Sequence, residues 1–300
     1  MQLHSSKSKP IKSCQICKSD NLQSKLFLGY VPPVNTMPKV DSRANEEISF
    51  PLELFRCEKC GHVQIGQEVD PEVLFPYSYP YLSGSTQILK ENFKDLKNNC
   101  LEKKLFNTKS LIVDIGSNDG TLLSNFKDAG AKVVGIEPSK ASEVATKAGI
   151  ETINKYFNKE TANEVINKYG KASIVTAANV FAHIPNPHEV IENISTLLEE
   201  DGVFISESHY LLSLIETIQY DTIYHEHLRY YHLDALRILL ERHNFEIFDC
   251  QRIPTHGGSI RVYASKIGKF KIKNSVKQML IEEQNKGLIN GKLLDDFRDR

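Results

Sequence analysis

The sequence lacks the features that mark a membrane protein, a disulfide scaffold or a general nucleic-acid binder. Among its 300 residues, no run approaches the roughly 20 consecutive apolar positions that span a bilayer. Its 37 Lys and Arg residues balance 38 Asp and Glu residues, so no overall basic field would attract nucleic acid or anionic lipid. Six cysteines are too few for a disulfide framework in so long a chain. We therefore expect a cytoplasmic protein that binds neither membranes nor nucleic acids, and we expect it to be a monomer or a weak homodimer.

Four of the six cysteines stand in two close pairs, Cys14 with Cys17 and Cys57 with Cys60. The two-residue gap lets both thiolates of a pair bind one ion, and four thiolates complete a tetrahedral shell. The sequence thus predicts a structural Zn²⁺ site in a loop-rich module over residues 12–75. Four unrelated reduced cysteines are the alternative, but this segment has few apolar residues with which to build a core without metal. We expect His62 at the surface or beside the metal ligands.

From residue 110 onwards, short apolar strands alternate with helical patterns. This alternation predicts an α/β fold with a doubly wound, mostly parallel sheet. Two further strand-like runs and an amphipathic run follow it. The predicted strands cover 111–116, 131–136, a short stretch near 151, 172–180 and 202–206, then 245–252 and 260–265; the predicted helices cover 86–105, 121–129, 140–148 and 188–198, and the amphipathic run covers 276–297.

The loop after the first of these strands carries the main cofactor signal. A glycine loop at the end of one strand, with an acidic residue about 20 positions later at the end of the next, fits a cofactor with a ribose. Asn118 replaces the middle glycine of a dinucleotide fingerprint, and two aspartates in the loop would repel a pyrophosphate. S-adenosylmethionine carries a protonated amine and a sulfonium, so the acidic loop favours it over NAD; a tight turn without a ligand is the remaining alternative. The predicted cofactor residues are Asp114, Gly116, Asn118, Asp119, Gly120, Glu137, Asn179 after the fourth strand, and Tyr81 and Ser83 from a tyrosine-rich stretch.

A second group of titratable residues follows the fifth strand. Tyr224, Glu226 and His227 lie close together, and His183 follows the fourth strand. Three interpretations remain open: a second metal site that uses His225, a solvated polar turn, or an acid/base cluster. Methyl transfer to carbon explains the cluster best, because carbon is not nucleophilic until a base removes a proton beside a carbonyl. In that interpretation His227 is the base, Glu226 orients its ring and Tyr224 donates to the developing oxygen anion.

Two further motifs are candidate substrate contacts. Tyr79 belongs to the tyrosine-rich stretch from 77 to 85, which either covers a ligand or packs between domains. In the motif from 254 to 261, the glycines permit close approach of the backbone to a ligand. His256, Gly257 and Arg261 are the predicted contacts there, with Arg261 meeting an anionic group. A plain hairpin turn is equally consistent with this motif.

Taken together and in this order, the motifs resemble those of the zinc-containing, S-adenosylmethionine-dependent sugar C-methyltransferases, over residues 12–270. The resemblance implies a small-molecule substrate, a nucleotide-linked keto-deoxysugar. It also implies four segments: a flexible tail (1–11), the zinc-binding module (12–75), a Rossmann-like methyltransferase domain (76–250) and the incomplete start of a C-terminal substrate domain (251–300). The alternatives are an O- or N-methyltransferase and a zinc-dependent interaction module with a degenerate methyltransferase domain. The resemblance places catalytic residues at His183, Tyr224, Glu226 and His227, a further active-site tyrosine within 79–81, the cofactor loop at 114–120 with Glu137, and zinc ligands at Cys14, Cys17, Cys57 and Cys60.

Overall fold

The structure, a computed structural model, describes residues 7–35, 40–41 and 47–300. Its amino-terminal part is a module of short antiparallel strands. Residues 8–10 pair with residues 67–69, so this part of the predicted flexible tail is instead a strand; residues 1–6 of that tail lie outside the described residues. The elements of the module are β1 (Ser8–Pro10), β2 (Leu22–Val31), β3 (Phe50–Cys57), β4 (Val63–Ile65), β5 (Gln67–Val69) and the short helix α1 (Pro71–Leu74).

The central part alternates helices and strands as the sequence predicts. The strand β6 is buried at all five positions, as expected for a parallel strand covered by helices on both faces. One helix, α5, was not predicted, because its buried stripe is narrow and consists of Thr161, Ala162 and Val165. The elements are α2 (Gln87–Glu102), β6 (Leu111–Ile115), α3 (Thr121–Asp128), β7 (Lys132–Ile136), α4 (Ala141–Lys147), β8 (Thr152–Ile153), α5 (Lys159–Tyr169), β9 (Ala172–Ala178), α6 (Pro187–Leu197) and β10 (Leu198–His209).

The remaining residues complete both sheets. The boundary predicted after residue 250 falls inside a strand that pairs with its neighbour as far as Ile253, so residues 251–266 belong to the central sheet and do not begin a separate domain. The two helices that follow pack against β12 and against β2. The elements are α7 (Leu211–Glu216), β11 (Arg229–Tyr230), α8 (Leu233–Glu241), β12 (Phe245–Ile253), β13 (Ser259–Lys266), α9 (Asn274–Asn285) and α10 (Lys292–Arg298).

The order of strands explains where a ligand can bind. The central sheet has the order β12-β13-β10-β9-β6-β7-β8, in which only β13 runs antiparallel to the other strands. The chain runs outward from β6 in one direction through β7 and in the other through β9, and ligands bind at such a switch point, beyond the carboxyl ends of the strands. The doubly wound fold class is thus confirmed. In the ranges that the structure describes, no helix is long and apolar enough to cross a membrane.

Candidate active site and metal centre

A cavity of about 840 Å³ opens over the carboxyl ends of the parallel strands. Its size lies within the range of roughly 300 to 1,000 Å³ that is usual for small-molecule sites. Each neighbouring strand ends on a residue or turn that lines it. The predicted residues brought together there are Tyr79, Tyr81, Ser83, Gly116, Asn118, Glu137, Asn179, His183, Tyr224, Glu226, His227 and His256.

The turn after β6 gives a ligand access to the backbone. Gly116 has φ +68°, and a Cβ atom at this position would stand 2.7 Å from Val180 Cγ2. A side chain here would therefore be strained and would also fill space at the cavity wall.

Glu137 is fixed at the end of β7 by two backbone amides. Its Oε2 accepts from the Asn118 amide at 3.0 Å, and its Oε1 accepts from the Ser139 amide at 2.8 Å. A carboxylate has about four acceptor positions, so two remain for the hydroxyls of a ribose. The position of Glu137 on the cavity wall fits the ribose of S-adenosylmethionine.

The two aspartates of the loop do not line the cavity, in contrast to our expectation. Asp114 is buried below it, where its carboxyl accepts from the Thr176 hydroxyl at 2.6 Å and burial raises its pKa to about 8. Asp119 turns away and accepts from the Gly84 amide at 2.7 Å and from the Thr121 hydroxyl at 2.6 Å. Gly120, with φ +79°, also lies outside the lining and forms the start of α3. These three residues therefore shape the loop.

Asn118 connects the loop to the tyrosine-rich segment. Its Oδ1 accepts from the Ser83 amide at 2.8 Å, and its Nδ2 donates to the Tyr81 carbonyl at 3.0 Å. With the bond from the Gly84 amide to Asp119, three hydrogen bonds hold this segment over the cofactor loop. The segment therefore covers one side of the cavity.

His227 and Tyr224 form a hydrogen-bonded pair inside the cavity. His227 Nδ1 lies 3.1 Å from the Thr222 carbonyl, which can only accept, so Nδ1 carries the proton. Nε2 is then the acceptor for the Tyr224 hydroxyl at 3.1 Å. Burial lowers the pKa of His227 well below its usual value, and the nearby His183 and His209 lower it further. The ring is thus a neutral base at ordinary pH.

Glu226 does not orient the imidazole, in contrast to our expectation; the Thr222 carbonyl does. Oε2 of Glu226 accepts from the Tyr79 hydroxyl at 2.9 Å, and Oε1 of Glu226 accepts from Asn35 Nδ2 at 2.6 Å. Burial raises the pKa of this carboxyl, while the two hydrogen bonds lower it. Asn35 was missed, because its only signal is a position beyond a strand of a separate module.

Three more histidines surround His227. The ring of His183 lies 4.9 Å from that of His227 between centroids, and burial lowers the pKa of His183 to about 3. His209, at 5.4 Å, was also missed, although it ends β10 beside the strand whose end predicted Asn179. His209 Nε2 donates to the carbonyl of His256, which has φ +52°.

Two predicted substrate residues lie outside the cavity. The guanidinium of Arg261 is fully buried and donates to Glu207 at 2.5 Å and to Asp95 at 2.8 Å. It therefore joins β13 to β10 and α2 and has no free donor face for a substrate anion. Gly257 packs against Gln219, whose amide donates to its carbonyl at 2.8 Å.

A second metal site is not formed by the cluster. His225 turns away from Glu226 and His227, because its Nε2 donates to the Pro51 carbonyl at 3.2 Å. Within the described ranges, the four cysteines are the one group arranged to hold a metal.

The four cysteine sulfurs converge on one point. All four lie within 4.8 Å of one another, and the pairs Cys14–Cys60 and Cys17–Cys57 are each 3.5 Å apart. Tetrahedral Zn²⁺ with Zn–S bonds of about 2.3 Å requires sulfurs roughly 3.8 Å apart, so the donor set fits the ion. The amides of Ile16 and Cys17 donate to the Cys14 sulfur, as expected for a thiolate. His62 is fully buried beside this site and not at the surface.

Two family models match the chain, one over the part with the cysteine site and one over the part with most of the cavity. "Putative zinc binding domain" matches residues 14–75, and "Methyltransferase domain" matches residues 87–249. C-methyltransferase NovU from Streptomyces niveus is 33% identical over 282 residues, which cover 93% of this chain and 67% of the relative. The chain belongs to the S-adenosylmethionine-dependent C-methyltransferases.

Two further similarities of this C-methyltransferase extend over part of the chain. Ubiquinone biosynthesis O-methyltransferase from Ralstonia nicotianae is 34% identical over 113 residues, 35% of this chain and 48% of the relative. A crystal structure of an S-adenosylmethionine-dependent methyltransferase from Clostridium acetobutylicum superimposes with a TM-score of 0.47 and 15% identity, over 62% of this chain and 94% of that chain. The cofactors of the C-methyltransferase are S-adenosylmethionine and, in the cysteine site, zinc.

Proposed function

We propose that this C-methyltransferase acts on the carbon adjacent to the ketone of a nucleotide-linked keto-deoxysugar. The observation that carries the proposal is the neutral His227–Tyr224 pair in the same cavity as the cofactor turn and Glu137. Methylation of carbon needs a base at this place, because the carbon is not nucleophilic until the proton beside the ketone has been removed.

The reaction requires the removal of a proton before the methyl group can be accepted. S-adenosylmethionine supplies an electrophilic methyl group on a sulfonium. In the proposed reaction the Tyr224 hydroxyl turns from His227 Nε2 to the ketone oxygen, and Nε2 then takes the proton of the carbon beside the ketone, whose electron pair passes into the enolate. Tyr224, whose pKa is raised by burial and by the charge of Glu226, keeps its proton and donates it in a hydrogen bond to the developing enolate oxygen. The enolate carbon would then form the bond to the methyl group as the methyl–sulfur bond breaks, and its electron pair would stay on sulfur to give S-adenosylhomocysteine.

The surrounding residues keep this pair oriented. The Thr222 carbonyl fixes the tautomer of His227, and His183 and His209 pack against its ring. The Tyr79 hydroxyl binds Glu226, which places one end of the tyrosine-rich segment beside Tyr224. We propose His183, Tyr224, Glu226 and His227 as the catalytic group, and Tyr79 and His256 as contacts of the sugar.

Solvent exchange tests the proposal independently of methyl transfer. The enzyme would be incubated in D₂O without S-adenosylmethionine, with a panel of nucleotide-linked 4-keto-6-deoxyhexoses, and the sugar protons followed by NMR against an enzyme-free control. We expect enzyme-dependent loss of the proton signal at the carbon beside the ketone. Methyl transfer to a hydroxyl without any such exchange would reject the proposal and favour an O-methyltransferase.

A further inference from the structure

The amino-terminal module reaches the active-site cavity through the side chain of Asn35. After β2 the chain passes through Pro32 and Pro33 to Asn35, which lines the cavity. Its Nδ2 donates to Glu226 Oε1 at 2.6 Å and lies 3.2 Å from the Tyr79 hydroxyl. The other oxygen of Glu226 accepts from Tyr79. Each carboxylate oxygen thus has one donor, and one of these two donors belongs to the zinc-binding module.

The segment that carries Glu226 is attached to the same module on both sides. Before Glu226, His225 donates to the Pro51 carbonyl and packs edge-on against Phe50, with ring centroids 5.8 Å apart. After it, the Ile65 amide donates to the Leu228 carbonyl at 3.1 Å, and β11 pairs with β4. The module therefore determines where Glu226 stands as well as which donor it meets.

The module's sheet has the metal ligands at one end and these contacts at the other. The pairing of β2 with β3 places Val31 opposite Phe50 and Leu22 opposite Cys57. Pro51 thus lies about 20 Å from Cys57 along β3, at roughly 3.4 Å per residue of strand, and Asn35 follows the end of β2 that lies beside Pro51. Correct folding of the zinc-bound end is expected to fix the register that places Asn35.

Glu226 is only 2% exposed, so it depends on its two donors. A buried carboxylate that loses a hydrogen-bond donor is disfavoured relative to the protonated acid. The titratable groups that face it are Tyr79 and Tyr224, and burial raises the pKa of both, so they remain protonated and neutral. Among these described neighbours, therefore, no cation could stabilise the Glu226 carboxylate in place of Asn35.

We propose that Asn35 is a positioning residue for methyl transfer: its hydrogen bond holds the Glu226 carboxyl group directed at the Tyr79 hydroxyl, so that the zinc-binding module forms part of the active site. The catalytic part of this inference rests on the proposed function. The hydrogen bond to Glu226 does not rest on the proposed function, and it can be tested without a sugar substrate.

The test compares Asn35→Ala and Asn35→Asp with the wild-type enzyme, and with Asn163→Ala, an exposed asparagine on α5, as the matched control. Carboxyl-labelled glutamate, with Glu226 assigned through Glu226→Gln, reports the titration of Glu226 by ¹³C NMR in the zinc-loaded protein. We expect Asn35→Ala to raise the pKa of Glu226 by about one unit. We also expect kcat to fall about 10-fold to 100-fold, with KM for S-adenosylmethionine and zinc content unchanged. Asn35→Asp should lower kcat further, because it places a like charge beside Glu226.

Two results would overturn the inference. One is a wild-type kcat in Asn35→Ala; the other is a fall in kcat with no change in the Glu226 titration, which would mean that the loss arises elsewhere. If the wild-type enzyme methylates no keto-deoxysugar but Asn35→Ala still shifts the Glu226 titration, the proposed function fails while the contact made by Asn35 stands.

Discussion

At the scale of single residues, the two ring nitrogens of His227 have different roles. Nδ1 donates to a backbone carbonyl, and Nε2 accepts from Tyr224. Because the ring is buried among other neutral histidines, the charged form is disfavoured. Nε2 of this histidine therefore stays unprotonated at a pH where an exposed imidazole would be partly protonated.

Replacing this base should abolish proton removal without affecting cofactor binding. We expect His227→Asn to lower both solvent exchange and methyl transfer by about 10²-fold to 10⁴-fold, the usual contribution of general base catalysis. Affinity for S-adenosylhomocysteine, measured by calorimetry, should stay within about twofold. His243→Asn, at a partly buried histidine paired with His188, is the control. A folded His227→Asn enzyme with normal turnover would reject His227 as the base.

The lowered pKa of His227 also predicts the pH dependence of catalysis. A base is inactivated when it is protonated, and a lowered pKa moves this loss to lower pH. We therefore expect kcat to stay nearly constant from about pH 8 to about pH 6, where an ordinary imidazole with a pKa of about 6.5 would lose most of its basic form. A half-maximal rate near pH 6.5, assigned to His227 by NMR titration, would contradict this environment.

At the scale of elements, the turn between β6 and α3 has two separate tasks. Gly116 keeps the cavity wall free of a side chain, whereas Asn118 and Asp119 bind the tyrosine-rich segment. The cofactor turn and the segment that covers it are thus one hydrogen-bonded unit. Sequence reasoning assigned all of these side chains to the cofactor, because a motif shows the spacing of residues and not the direction of their side chains.

A pair of glycine variants separates the effect of backbone strain from the effect of filling space at the cavity wall. Gly116→Ala and Gly170→Ala both place a side chain at positive φ, but only at Gly116 would the Cβ meet another atom within 4 Å. We expect each variant to lower the free energy of unfolding by about 1–3 kcal/mol, and Gly116→Ala by more than Gly170→Ala, because its Cβ would also stand 2.7 Å from Val180 Cγ2. Only Gly116→Ala should weaken binding of S-adenosylhomocysteine, by about tenfold or more. Equal affinities of the two variants in calorimetry would show that this turn does not approach the cofactor.

At the scale of the whole molecule, the zinc-binding module and the methyltransferase part are joined by a common sheet and by packing. β11 comes from the methyltransferase part and completes the four-stranded sheet of the module, and α10 packs on β2. Arg229 lies on β11, fully buried, and donates to Gln15 beside the metal knuckle and to the carbonyls of Phe181 and Ile184 near the cavity. Loss of the metal should therefore disturb the structure of the active site.

Metal removal tests this coupling. The zinc-loaded protein should contain about one zinc per chain, and chelation should lower the melting temperature by about 10 °C or more and abolish turnover. Cys57→Ser should behave like the chelated protein, whereas Cys250→Ser, a buried thiol outside the cluster, should keep its zinc. Full turnover by a folded, metal-free protein would contradict the coupling.

The sequence predicts those features that depend on local spacing. The cysteine pairs, the buried strands and the glycine turn each occupy a few neighbouring positions, and their locations were predicted within a few residues. Features that depend on distant pairing were missed: Asn35 meets Glu226 across 191 positions, and β11 has only two residues. Arg261 was assigned to an anionic ligand, because the sequence does not show that Glu207 and Asp95 already neutralise it.

The most direct test of the account is methyl transfer with S-adenosylmethionine labelled with ¹³C in its methyl group. The zinc-loaded enzyme would be incubated with the nucleotide-linked 4-keto-6-deoxyhexoses that show solvent exchange, and the products examined by carbon-detected NMR. The account predicts a labelled methyl group bonded directly to the sugar carbon beside the ketone, in wild type and in His243→Asn but not in His227→Asn. A labelled methyl group on oxygen or nitrogen, formed equally well by His227→Asn, would contradict it.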